Sequence, residues 1–118
     1  MAKMHRKSPN SPDEKREFDK ETLELVTLTG VTFGRATLQP GWNWSTSVKP
    51  IVQTNSCEAP HTQYVISGRL MIKIDDGTQM ELDPGDAAVI LPGHDAWVIG
   101  NEPVVLIDLI GMSNYAKP

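Results

Sequence analysis

His61-Thr-Gln-Tyr-Val-Ile-Ser-Gly68 is followed by Asp75-Asp76-Gly77, Leu82-Asp-Pro-Gly-Asp86 and Leu91-Pro-Gly-His94. Short β-prone runs here alternate with tight-turn residues, and two histidines sit at the joints. Asp76-Gly77 lies between Met71-Ile-Lys-Ile74 and Gln79-Met-Glu-Leu82. This is the strongest hairpin signal in the chain, because glycine accepts the positive φ that such turns require. Lys73 is expected to face outward from that hairpin. By period-2 alternation, His61, Gln63 and Val65 share one face, taken as the inward one.

Working outward, strands are expected near 63–67, 69–75, 79–82, 87–91, 96–99 and 104–110. Pro84-Gly85, Pro92-Gly93 and Gly100-Asn101 turn the chain between them. Upstream, Leu23 to Thr27 leads to Thr29-Gly30, and Val31-Thr-Phe-Gly-Arg-Ala-Thr-Leu38 leads to Gln39-Pro-Gly41, giving two more strands. Trp42 and Trp44 alternate with Asn43 and Ser45 and are expected on one strand face. Nothing after Glu21 has the pattern of a long amphipathic helix. An all-β sandwich or closed barrel follows, which also deals with exposed sheet edges.

Residues 1–20 differ in composition, with two Ser-Pro pairs and then Asp13-Glu-Lys-Arg-Glu-Phe-Asp-Lys20. Ser11 before Pro12, with Glu14 three positions on, has the form of a helix start. The expectation is a polar arm over 1–20, extended or carrying one helical turn, either free or docked on a partner subunit. The barrel is expected over 21–113 and a short tail over 114–118.

The chain has 118 residues, 39% hydrophobic and 22% charged, which suits one soluble domain. No apolar run approaches the roughly 20 residues that span a bilayer, so no membrane is expected. Eleven basic residues against 15 acidic give a net charge of -4, which disfavours nucleic acid as a partner. The basic start is followed by Ser-Pro-Asn-Ser-Pro and not by an apolar leader, and a single cysteine, Cys57, rules out an intrachain disulfide. A cytoplasmic location is the expectation.

Together, Tyr64-Val-Ile-Ser-Gly68, the Asp-Gly hairpin, Leu82-Asp-Pro-Gly-Asp86 and Leu91-Pro-Gly-His94 resemble the two signature regions of the cupins over roughly residues 41–111. The resemblance implies a double-stranded β-helix, or jelly-roll barrel, often dimeric through face-to-face sheet packing. Cupins typically carry His-x-His, three or four residues, Glu, six residues and Gly, then Pro-x-Gly-x-x-His, with three histidines and the glutamate on a divalent metal. Gly68 matches the closing glycine, which sets His61 at the glutamate's place and Asn55 and Cys57 at the paired histidines' places. Gly93 matches in the second region, where Leu91 replaces proline and Ala96 the histidine.

Cys57, His61 and His94 remain as candidate ligands. Thiolate and imidazole suit zinc, with iron, manganese or nickel as alternatives, and three ligands with an open position are common in catalytic sites. Cys57 and His61 would stand roughly 13 Å apart in an extended strand. Glu58-Ala59-Pro60 must therefore bend the chain. The competing reading makes Cys57 a small buried hydrophobe and has the histidines donate to backbone carbonyls.

Asn55, Gln63, Trp42 and Trp44 are the candidate pocket residues, with Tyr64 as a further polar contact, although each tryptophan serves equally as core. If His94 faces inward, Trp97 faces out. Glu58 and Asp95 are candidates to orient an imidazole or to exchange protons, and equally solvated turn residues. Outward apolar residues of the Ile72/Ile74 or Val104/Leu106 strands are candidates for a homodimer contact. The functional expectation is a small barrel binding a divalent metal and a small-molecule ligand at its mouth, as an enzyme or as a non-catalytic binding or sensing protein.

Overall fold

Two antiparallel sheets face each other in the computed structural model, which describes residues 4–109. The larger sheet has the order β1 (Glu14–Phe18), β2 (Glu21–Leu28), β3 (Val31–Leu38), β9 (Val104–Asp108), β4 (His61–Ser67) and β7 (Ala87–Ile90). The smaller has the order β6 (Gln79–Leu82), β5 (Arg69–Ile74) and β8 (His94–Ile99). This is the expected jelly-roll arrangement, and apart from the strand expected at Trp42 and Trp44, the strands foreseen between Glu21 and Val104 form within a few residues of their expected bounds. The tail expected over 114–118, and the barrel's last residues from 110, lie outside the described residues.

Alternation builds the core. Leu23 and Leu25 from β2, Ala36 and Leu38 from β3, Val65 from β4 and Val104 and Leu106 from β9 meet Leu70, Ile72, Leu82, Ala96 and Val98 from the smaller sheet. All are buried. Lys73 faces outward as expected, and the inward parity of His61, Gln63, Val65, His94 and Ala96 leaves Trp97 on the other face. The same parity puts Ile72, Val104 and Leu106 in the core and makes Val105 and Ile107 the outward apolar residues of β9. The exposed neighbours of that core are Tyr64 and Ile66.

A bulge in β4 between Val65 and Ser67 shifts its register with β9, and the pairing closes at Ser67↔Val105. Gly68 then turns the chain into the second sheet at φ +78, where a Cβ would overlap the Pro103 carbonyl and lie 2.7 Å from the Val104 Cα. Only glycine fits there, which accounts for its place in the motif.

Two expectations change. The segment expected as an arm supplies β1, which pairs with β2 from Glu14↔Leu25 to Phe18↔Glu21, so the boundary placed at residue 20 falls inside a hairpin. The helical turn at Ser11 does not form. The Asp13 N–H instead donates to the Leu25 carbonyl, and the edge of β2 recruits the chain as strand. Likewise Trp42 and Trp44 do not share a strand. Asn43 is extended, its side chain accepts from the Ser45 N–H at 2.8 Å, and Trp44 opens α1 (Trp44–Ser47), followed by α2 (Lys49–Val52). Asparagine favours this capping role. Among the described residues no helix is long and apolar enough to cross a membrane.

Candidate metal centre

The strand His61–Ser67 begins with its inward residue, and the strand His94–Ile99 does the same. Cys57 joins them through an isolated bridge. Its N–H donates to the His94 carbonyl at 2.7 Å, and its carbonyl accepts from the Gly93 N–H at 2.7 Å. The bend at Glu58-Ala59-Pro60 then returns the chain to His61. One potential ligand atom from each of Cys57, His61 and His94 falls within 4.8 Å of the others, and all three residues are buried.

Both rings are oriented from behind. The Asp108 carboxylate lies 2.6 Å from His61 Nδ1, leaving Nε2 at 3.7 Å from Cys57 Sγ. His94 Nδ1 lies 2.8 Å from the Leu91 carbonyl, which can only accept, so Nδ1 carries the hydrogen and Nε2 is the nitrogen left for a ligand. Histidines that hold metals are commonly fixed in this way through their other nitrogen. Bond lengths of about 2.3 Å to sulfur and 2.05 Å to nitrogen at a tetrahedral angle place the two donors about 3.6 Å apart, close to the spacing found here. The donor set therefore fits a zinc-like ion.

Charge supports the same geometry. Burial pushes the Cys57 thiol up, but hydrogen bonds with His61 and His94 outweigh it, holding the thiol at about 6. Burial pushes His61 down, while the Asp108 carboxylate and the Cys57 sulfur outweigh it and raise the ring to about 9. Near neutrality the sulfur is thiolate and the His61 ring imidazolium.

The cluster opens on a small cavity of about 30 Å³, also lined by Trp42, Trp44 and Gln63. Gln63 donates its amide N–H to Asp108 at 3.3 Å, and the Trp42 indole donates to Glu21 at 2.9 Å. Trp44 Nε1 and Gln63 Oε1 are buried and have no hydrogen-bond partner among the described residues. Asn55 is exposed and outside this lining. Tyr64 is exposed on the far side of the sheet. Neither Glu58 nor Asp95 lines the cavity; they accept from Ser56 and Ser45.

The orienting carboxylate is instead Asp108, fully buried, and Glu21 is a second buried acid absent from the sequence reading. Both were encoded in parity. Asp108 follows Val104 and Leu106, and Glu21 precedes Leu23 and Leu25, each at the spacing of an inward position.

No protein-family model matches the sequence, and no curated protein does. Solved structures do match. A protein of unknown function from Rhizobium leguminosarum bv. viciae 3841 superposes with TM-score 0.66 at 19% identity, covering 92% of this chain and 97% of its own. The polyketide cyclase RemF from Streptomyces resistomycificus gives 0.61 at 20% identity, over 91% of this chain and 78% of its own. KdgF from Halomonas sp. gives 0.58 at 18% identity, over 83% and 86%.

The fold is the cupin barrel. By the motif spacing of the resemblance, Cys57 falls at the place expected for one of the paired histidines and His61 at that of the glutamate. His94 comes from two residues before the usual last histidine and shares the inward parity of Ala96. The buried Cys-His-His cluster thus lies within the cupin interior with a different donor set.

Proposed function

We propose that this cupin binds a divalent transition metal, zinc being the best match, through Cys57 Sγ, His61 Nε2 and His94 Nε2, and that a small molecule is bound or sensed there. The observation that carries this is the convergence of three buried donors with both imidazoles fixed through Nδ1. An ion held there supplies Lewis-acid polarisation. The chain itself supplies the rest. Asp108 keeps His61 in register, Trp44 Nε1 offers a donor, and Gln63 Oε1 an acceptor.

A cavity of about 30 Å³ has room for one or two water-sized groups, and not for an organic substrate. The small molecule bound or sensed beside the ion is therefore of water size, and turnover of a bulky molecule inside the barrel is disfavoured. Metal analysis of protein purified without added metal, beside the Cys57→Ala/His61→Ala double variant, tests the reading. Stoichiometric metal in the wild type and loss in the variant is the expected result. Wild-type protein with neither bound metal nor affinity on titration would contradict it.

The protein is further proposed to be a homodimer packed through the outer face of the larger sheet, where exposed Tyr64 and Ile66 flank half-buried Val105 and Ile107. An apolar stripe on a sheet's solvent side is the kind of surface a second copy covers.

A further inference from the structure

A groove of about 490 Å³ lies outside the metal cavity, within the range of small-molecule sites and far larger than the interior space. It follows the seam where β6, an edge of the smaller sheet, and β7, an edge of the larger, flank one another. Its walls are apolar and open to solvent: Leu91 is 70% exposed, Val89 69% and Met80 46%. At one end stand Asp75 and Asp76, on the tip of the β5–β6 hairpin. Among the described residues no lysine, arginine or histidine lines it.

Asp76 accepts from the Thr78 N–H at 2.8 Å, a bond that holds its carboxyl below the ordinary range and keeps it ionised. Ser56 Oγ lies 3.1 Å from both Asp75 Oδ2 and Glu58 Oε1, and its single hydrogen is shared between the two carboxylates. The groove therefore joins a greasy wall to a fixed negative end.

It also abuts the metal centre. Ile72 and Ile90 line both spaces, so these two side chains are the partition between them. The Asp75 N–H donates to the Gly93 carbonyl at 2.9 Å, and the Leu91 carbonyl holds His94.

We infer that this groove is the binding site of a small amphipathic cation, with its alkyl or aryl body against Leu91, Val89 and Met80 and its ammonium or guanidinium head at Asp75 and Asp76. The site goes beyond the metal reading and stands without it. Two other occupants fit less well. The flanking strands have four residues each, too short an edge for a stable added peptide strand. A second copy packing its own groove here would bring no lysine, arginine or histidine to Asp75 and Asp76, because none stands among the described residues that line it.

The test uses the full chain and three probes of matched length, hexylammonium, hexanol and hexanoate, followed by amide chemical-shift mapping. Expected are saturable shifts at Ile74–Met80 and Val89–Gly93, affinity falling from hexylammonium to hexanol to hexanoate, and hexylammonium weakened about tenfold or more in Asp75→Asn/Asp76→Asn with hexanol unchanged. Leu91→Gln is expected to weaken hexylammonium and hexanol alike. Hexanoate binding as tightly as hexylammonium, or saturation at no groove residue, would overturn the inference. A concentration-dependent dimer abolished by Leu91→Gln would give the groove to a second copy and overturn it as well. Repeating the titration on the Cys57→Ala/His61→Ala variant separates the two sites, since binding in the groove is expected to persist there.

Discussion

The proton shared between Cys57 and His61 has a measurable signature. Cys57, lowered from 9.0 to about 6, adds stability that is complete above pH 9 and is lost as pH falls through about 6. His61, raised from 6.5 to about 9, adds stability that is complete below pH 6.5 and is lost as pH rises through about 9. Between those limits folding only moves a proton from sulfur to ring, so folded and unfolded chains bind equal numbers and the pair leaves stability level with pH. Urea denaturation of metal-stripped protein is expected to show that plateau between about pH 6.5 and 9. In Cys57→Ala the His61 contribution stands uncompensated, and stability is expected to fall as pH rises across the same window. A wild-type profile with a steep slope there, traced by residue-specific titration to this pair, would contradict the assignment.

Asp108 acts through His61 and is a positioning residue. Asp108→Asn keeps the shape but removes the charge, so the His61 ring is expected to titrate lower and the Cys57 thiol higher than in the wild type. Metal affinity is expected to fall about 10- to 100-fold. Thiolate ultraviolet absorbance against pH and competitive zinc titration read the two effects separately. An unshifted thiol midpoint would remove Asp108 from the account.

At the scale of elements, Gly68 joins the two sheets. Gly68→Ala is expected to cost about 2 kcal/mol or more, from a positive φ added to overlap with Pro103 and Val104, measured by chemical denaturation. Asn43→Ala removes the cap of α1 and is expected to cost about 1 kcal/mol. Strands and turns were legible because parity and glycine placement are local. Gln79 to Leu82, for example, needed only the Asp-Gly turn beside it.

The departures arose where a tertiary demand outweighed a local cue. Ser11-Pro12-Glu14 reads as a helix start, yet the β2 edge, with Leu23 and Leu25 buried, needs a neighbour, and Glu14–Phe18 supplies it. At the candidate site, Cys57, His61 and His94 were visible by residue type. Asp108 is less legible because an acid at the end of an apolar strand reads as its solvated terminus, whereas its parity with Val104 and Leu106 turns it inward. Asn55 was placed by the family's spacing, but this chain turns there and leaves it in solvent.

For the whole molecule, the outer face of the larger sheet makes the dimer testable. Tyr64→Glu with Ile66→Lys alters only exposed side chains, so monomeric protein with an unchanged fold is expected by sedimentation and circular dichroism. Removing residues 1–18 now means removing a strand, and it is expected to lower stability and expose the β2 edge to aggregation. A free arm would leave the melting temperature unchanged on removal, and removal of an arm docked on a partner subunit would weaken a dimer.

Most directly, the account rests on whether Cys57, His61 and His94 hold one ion. Zinc titration of metal-stripped protein at pH 7.5, with proton release counted, addresses this. One ion per chain with at least one proton released is expected, because His61 enters as imidazolium and must give up its Nε2 proton to become a ligand. No stoichiometric binding, or binding with no proton released, would contradict it.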